Sequence, residues 1–237
     1  MDNFPVTRHS VVDRIRAEDP EARRVAFGDL VDGYWKPVYK HLRRTWRMDP
    51  DDAQDLAQAF FADAFQKGWL ERFDPAKARF RTFVRVCVDR MVLNARQSEG
   101  RLKRGGGTIA VPLDFAGADR ELAAAPTAAT DPDASFHQEF VRSLFGRTVV
   151  ALRAEYEAAG KDASFVLFER YDLAPTDGVS YGQLAAEFGL TTTQVTNRLA
   201  QVRRRFRELA LADLRALCGT DAEYQREARD LFGVEVT

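Results

Sequence analysis

A run near the carboxy terminus, "FGLTTTQVTNRLAQVRRRFREL" from Phe188 to Leu209, spaces polar and basic side chains along one helix. Thr192, Thr193, Thr196, Asn197, Arg198 and Gln201 are followed at once by Arg203, Arg204 and Arg205. Short hydroxyl and amide groups suit base edges and phosphates, and clustered guanidiniums suit a phosphodiester backbone. The opposite stripe, Val195, Leu199, Val202 and Phe206, sits at i, i+4, i+7 and i+11 and predicts a buried face. Just upstream, "SYGQLAAEFGL" pairs Ser180 with Gln183 as a capping box, and Thr191 with Gln194 repeats the device. Gly189 supplies a permissive turn, and Ala185 is small enough for a second helix to cross closely. Two capped helices around a short Gly turn predict a helix-turn-helix whose second helix reads DNA. A helical hairpin with a solvated basic face would use the same residues.

A second constellation lies between 48 and 104. Asp49, Asp51, Asp52 and Asp55 gather at a helix start, where carboxylates favour the positive end of the helix dipole. Leu56, Phe60, Phe61, Ala64 and Phe65 then make an apolar face wider than one packing stripe needs. That face reads either as a docking surface for another protein or as core. From Lys77 to Arg104, basic residues interleave with Phe80, Phe83, Val84 and Val86. Charge for phosphates and rings for bases are what opened or single-stranded DNA requires. Core aromatics beneath a solvated basic face would share the pattern.

Other chemistries find little support. The aspartates lack the Gly and distal Glu of a calcium loop. Gly105–Gly107 lack the Lys-Ser/Thr ending of a phosphate-binding loop and read as a hinge. Cys87 and Cys218 are too few for a disulfide framework or a thiolate zinc site, and His9, His41 and His137 form no metal-spaced cluster. No nucleophile–base grouping or cofactor loop stands out, so a non-enzymatic protein without cofactor or metal is expected. The opening "MDNFPVTRHS" has no apolar signal core, and no apolar run reaches membrane-spanning length. A reduced, cytoplasmic protein with no membrane contact is expected.

These groups need elements to hold them. The 237 residues suffice for one large domain or two small ones. Lys and Arg number 35 against 36 Asp and Glu, a formal net charge of −1. A protein that binds DNA strongly by itself is usually basic, so affinity here must come from local patches, with the balancing acid on a surface for a protein partner. Helical spacing runs from Pro20 to about Gly100 and resumes from Ala134 to about Phe232, while the stretch between is rich in Gly, Pro, Ala and Thr. An all-α fold is expected: two small helical domains joined by a flexible linker, the second containing the helix-turn-helix. The domains are placed at 1–100 and 134–237, with the linker at 101–133. "VPLDFAG" within that linker is apolar enough to dock. The tail beyond 219 is expected to form another amphipathic helix, with Tyr224, Ala228 and Leu231 on one face, that packs on the carboxy-terminal domain or gates it.

The order "DAQDLAQAFFADAF…RFDPAKARFRTFVRVCVDRMVLNARQ", a linker, then "VSYGQLAAEFGLTTTQVTNRLAQVRRRFREL" resembles the extracytoplasmic-function (ECF) class of bacterial RNA polymerase sigma factors. "FPVTRHSVV" and "GYWKPVYKHLRR" are similar to a long-chain subgroup of that class. The resemblance implies two helical domains, regions two and four, and a role as a sigma factor in promoter-specific transcription initiation. Asp52, Asp55, Leu56, Gln58, Phe60 and Phe61 would then dock on the clamp helices of the largest subunit of core RNA polymerase. Arg79, Arg81, Arg85, Arg90, Asn94 and Arg96 would recognise and melt the −10 element, helped by the loop Trp69 to Ala78 capturing a flipped base. Thr192, Thr193, Thr196, Asn197, Arg198, Gln201, Arg203, Arg204 and Arg205 would contact the −35 element. Promoter DNA, core polymerase and an anti-sigma protein are the implied partners.

The chain departs from the family at Ala59, where an acid is usual, at His9, where a Trp is common in the subgroup, and in its neutral reading helix. Two alternatives remain: a standalone helix-turn-helix regulator, and a polymerase-binding adaptor without promoter recognition.

Overall fold

A computed structural model describes residues 11–16, 19–97, 113–124, 131–174 and 179–236. Among them every regular element is helical, as expected. The elements are α1 (Val11–Ile15), α2 (Pro20–Arg44), α3 (Pro50–Lys67), a 3₁₀ turn (Trp69–Arg72), α4 (Phe80–Gln97), α5 (Phe115–Ala124), α6 (Pro132–Ala158), α7 (Asp162–Phe168), a π-helical turn (Glu169–Leu173), α8 (Tyr181–Phe188), α9 (Thr192–Leu217) and α10 (Asp221–Phe232). His9 and the hinge read at Gly105–Gly107 lie outside the described residues.

The chain divides into two compact units, Met1–Ser143 with Leu214–Thr237, and Leu144–Asp213. Both divisions fall inside long helices, α6 and α9, rather than in the stretch 101–133.

In the first unit, α2 and α3 start at Asp-Pro. Asp19 accepts from the Glu21 amide and Asp49 from the Asp52 amide, each with proline in the first turn, where its missing N–H costs nothing. Leu30, Tyr34, Val38 and Leu42 of α2 form the central buried stripe, with Val12 and Ile15 of α1 also buried. α5 occupies the middle of the segment read as linker. Phe115 docks there between Trp35 and Tyr39, with ring centroids 5.4 and 4.9 Å away. Asp119 accepts from Tyr39 and Arg43, and Glu121 from Lys36 and Lys40. Phe115 of "VPLDFAG" thus docks, because a buried phenylalanine is worth about 1.5–3 kcal/mol.

The tail departs from expectation. Leu217 and Cys218 are buried, Leu217 O accepts from Tyr34 Oη at 3.2 Å, and Gly219 lies against Phe73 and Phe80. Tyr224 and Ala228 are buried as their spacing predicted, yet the helix that carries them is attached to α4 of the first unit. Sequence spacing defines which face is apolar; it does not say what covers it.

The second unit closes on Leu152 of α6, Phe165 and Phe168 of α7, Leu184 and Ala185 of α8, and Val195, Leu199 and Val202 of α9. Both capping boxes are formed. Gln183 N donates to Ser180 Oγ at 3.3 Å while Ser180 N donates to Gln183 Oε1 at 2.7 Å, and the Thr191–Gln194 pair repeats this at 3.2 and 2.8 Å. Gly189 ends α8 at φ +62°, a conformation costly for a residue with a Cβ. Three of the four stripe residues are fully buried, and Phe206 packs at the edge against Phe145 and Phe168.

Candidate nucleic-acid interface

The first unit carries an open groove of about 940 Å³ between α3, the 3₁₀ turn with its following loop, and α4. Its floor is aromatic: Trp69 lies 5.0 Å from Phe60 and 6.0 Å from Phe83, centroid to centroid. Its rim is cationic. Lys67, Arg72, Lys77 and Arg90 line it, against Asp63 and Asp74. Lys67 is paired to Asp63 at 2.6 Å and Lys77 to Asp74 at 3.2 Å, whereas Arg72 and Arg90 make no ion pair to a described residue. Aromatic rings and guanidiniums lining one groove are the groups that stack bases and hold a phosphate backbone. Cys87 also lines the groove, and burial pushes its thiol up to about 11.

The six residues that the resemblance assigns to the −10 element separate into three groups. Arg90 and Asn94 line the groove. Arg85 is turned into the unit, donating to Asp133 at 2.9 Å and to Asp89 at 2.7 Å, and Arg96 lies over the Trp46 ring at 4.8 Å. Arg79 and Arg81 meet α10: Arg79 pairs with Glu227 at 2.6 Å, and Arg81, only 9 % exposed, contacts the same carboxylate oxygen. Asp89 also accepts from His41 Nε2 and Trp46 Nε1, each at 2.7 Å. Burial pushes its carboxyl up, but those hydrogen bonds and the charges of His41 and Arg85 outweigh burial and leave it below the ordinary carboxylate range.

On α3, Asp52 and Asp55 are exposed and Leu56 and Gln58 half-buried, all accessible to a partner. Phe60 and Phe61 are 2 % and 3 % exposed and belong to the core. They support the groove floor instead of presenting a docking face, since aromatic rings so placed gain more from packing than from water. The nearby Asp49 carboxylate raises Asp52 above its ordinary range, marking a concentrated negative field at this helix start.

In the second unit, Thr192, Thr193, Thr196, Asn197, Gln201 and Arg204 are exposed on α9 and Arg198 is half-exposed. The arginine triplet does not act as one patch. Arg203 grips Asp172 through Nε at 3.0 Å and Nη2 at 2.9 Å and lies over Tyr171 at 5.4 Å. Arg205 grips Glu155 at 2.8 Å and Glu208 at 2.9 Å. These two bind α9 to its neighbours. Arg204 is left facing solvent.

Residues 30–102 match the family model of Sigma-70 region 2. In sigma factors that region binds core RNA polymerase and melts the −10 promoter element. No curated protein and no solved structure matches the chain. The region 2 match covers most of α2, all of α3 and α4, and thus the whole groove. Among the described residues, no helix is long and apolar enough to cross a membrane, and no group of three His, Cys, Asp or Glu is placed to hold a metal ion.

Sequence reasoning missed Lys67 and Met91 of this groove and named Arg72 only within the loop Trp69 to Ala78. Lys67 lies two residues before Trp69 in sequence, so its place beside the ring was within reach. Glu227 carried no such signal, because its partners Arg79 and Arg81 lie almost 150 residues upstream.

Proposed function

We propose that the chain is a sigma factor of the ECF class, which binds core RNA polymerase and directs promoter-specific initiation. The observation that carries this is the coincidence of the region 2 match with the aromatic, cation-rimmed groove. In this reading Asp52, Asp55, Leu56 and Gln58 meet the clamp helices of the largest subunit. Arg90 and Asn94 contact the opened −10 strand, with Arg72 and Trp69 beside them. Strand opening costs base-stacking energy, and the groove offsets it by giving an unstacked base an aromatic surface and its phosphates guanidiniums. Thr192, Thr193, Thr196, Asn197, Arg198, Gln201 and Arg204 contact the −35 element as the face of a helix-turn-helix. Arg79, Arg81, Arg85, Arg203 and Arg205 fall to structural duty in the free chain.

The test is binding of the purified chain to bacterial core polymerase, followed by run-off transcription from a library of genomic fragments. Initiation at a shared −35/−10 pattern supports the reading; a chain that ignores core and shifts duplex DNA alone overturns it in favour of a standalone regulator. One observation favours a second reading, a polymerase-binding adaptor without promoter recognition. Two of the four arginines assigned to the −35 face, Arg203 and Arg205, are engaged by Asp172, Glu155 and Glu208, leaving Arg198 and Arg204 on a face mostly of threonine and amide groups. Binding to core without initiation on any fragment is the result that selects it.

A further inference from the structure

α4 opens without a capping side chain of its own. Arg79, the residue before it, has no side-chain acceptor, so the first amides of α4 need a partner from elsewhere. Glu223 of α10 supplies it. Its carboxylate, 4 % exposed, accepts from Phe80 N at 2.8 Å and from Gly219 N at 3.0 Å. One turn on, Glu227, 1 % exposed, takes both Arg79 and Arg81, and its second oxygen, Oε2, is buried with no hydrogen-bond partner. Asp230 stands 3.7 Å from Arg79. Residues 223, 227 and 230 are i, i+4 and i+7, one stripe of a helix. α10 therefore lays a row of carboxylates along the cationic first turn of α4.

Phosphates would be held by the same groups: guanidiniums with parallel donors and the free amides of a helix N-terminus. The buried apolar groups of α10 are the Tyr224 ring and the Ala228 methyl, with Leu231 and Phe232 half-buried. Ion pairs removed from water add little net stability, because desolvation offsets much of their attraction. Such a contact is exchangeable for another polyanion. We propose that α10 is an intramolecular stand-in for nucleic acid: its carboxylates occupy the cationic first turn of α4 in the free chain and yield it to the phosphates of opened DNA. This rests on the proposed nucleic-acid role of α4.

The test uses the full chain, a fluorescein-labelled single-stranded oligonucleotide of mixed sequence, and the shape-preserving double variant Glu227→Gln/Asp230→Asn. The variant binds more tightly than wild type, and the slope of log affinity against log salt steepens by about 0.7 for each arginine released, about 1.4 for two. Adding Arg79→Gln and Arg81→Gln returns the slope to that of wild type. Unchanged affinity and slope in the double variant overturn the proposal. Independently of any variant's folding, hydrogen exchange in the wild-type chain reads the same event. The Phe80 and Gly219 amides and those of α10 exchange faster when the oligonucleotide is bound; unaltered protection overturns the proposal. Core-polymerase binding is measured in parallel and separates the two readings. A chain that gains oligonucleotide affinity in the variant but never binds core keeps the stand-in and loses the sigma reading. A chain that binds core and shows no gain does the reverse.

Discussion

Arg203→Ala and Arg204→Ala, one position apart on the same helix, are expected to fail in different ways. Arg203 makes a two-pronged contact with Asp172, lies over Tyr171 and reaches Tyr181 Oη at 3.4 Å. Its side chain is 39 % exposed and that of Asp172 26 %, so solvent screening holds the ion pair to about 0.2–1 kcal/mol. Stacking on an accessible ring adds about 0.5–1 kcal/mol. These do not sum fully, and truncation costs about 1 kcal/mol, which lowers the melting temperature by about 2–4 °C in a chain of this length. Because part of the loss is an ion pair, the difference from wild type narrows as salt is raised. Arg204 faces solvent, and its truncation stays within about 0.5 kcal/mol of wild type. Its cost appears in DNA instead, as weaker duplex binding and a salt slope shallower by about one. The assay is thermal unfolding by far-ultraviolet circular dichroism at two salt concentrations, beside a duplex-binding titration. If Arg203→Ala melts with wild type while losing more DNA affinity than Arg204→Ala, the division of the triplet into structural and reading arginines is refuted.

Four further outcomes follow from the first unit. Gly219→Ala would place a Cβ 2.4 Å from Phe73 Cε1 and 3.0 Å from Phe80 Cβ, and this overpacking costs about 1–3 kcal/mol; an unshifted melting curve would show that the tail does not pack there. The Asp89 carboxyl is held below its ordinary range in the folded state, so its contribution is present above about pH 4 and is lost as pH falls through the depressed value. Asp89→Asn should therefore be less stable at neutral pH and show a flatter acid limb in a pH series of denaturant midpoints, and an acid limb identical to wild type would count against the assignment. Arg90→Ala with Asn94→Ala should lower strand opening on a −10 fork, read by fluorescence of an unpaired base analogue, while core binding and melting temperature hold. Arg85→Ala should lower the melting temperature through loss of its contacts to Asp89 and Asp133.

What was readable in the chain was local. The pairs Ser180–Gln183 and Thr191–Gln194, the left-handed Gly189 and the stripe Val195, Leu199 and Val202 all depend on groups within one or two helical turns. Backbone geometry brings such groups together whatever the rest of the molecule does, so residue spacing alone implied them. The region 2 match lies where the acidic, aromatic and basic runs were read. Tyr224 and Ala228 were likewise placed on a buried face by spacing.

The covering of each face, and the freedom of each charge, were decided only in three dimensions. Nothing near Arg79 or Arg81 in sequence distinguishes them from Arg90, yet the first two are engaged by Glu227 and the last lines a groove. Arg203 and Arg204 are neighbours in the chain, and the 100° step between successive helical residues turns one toward Asp172 and the other to solvent. The sequence by itself determined an all-α chain and which residue types could meet nucleic acid. Tertiary packing selected which of them remain available, because a guanidinium's partner is whichever carboxylate the fold carries to it across tens or hundreds of residues.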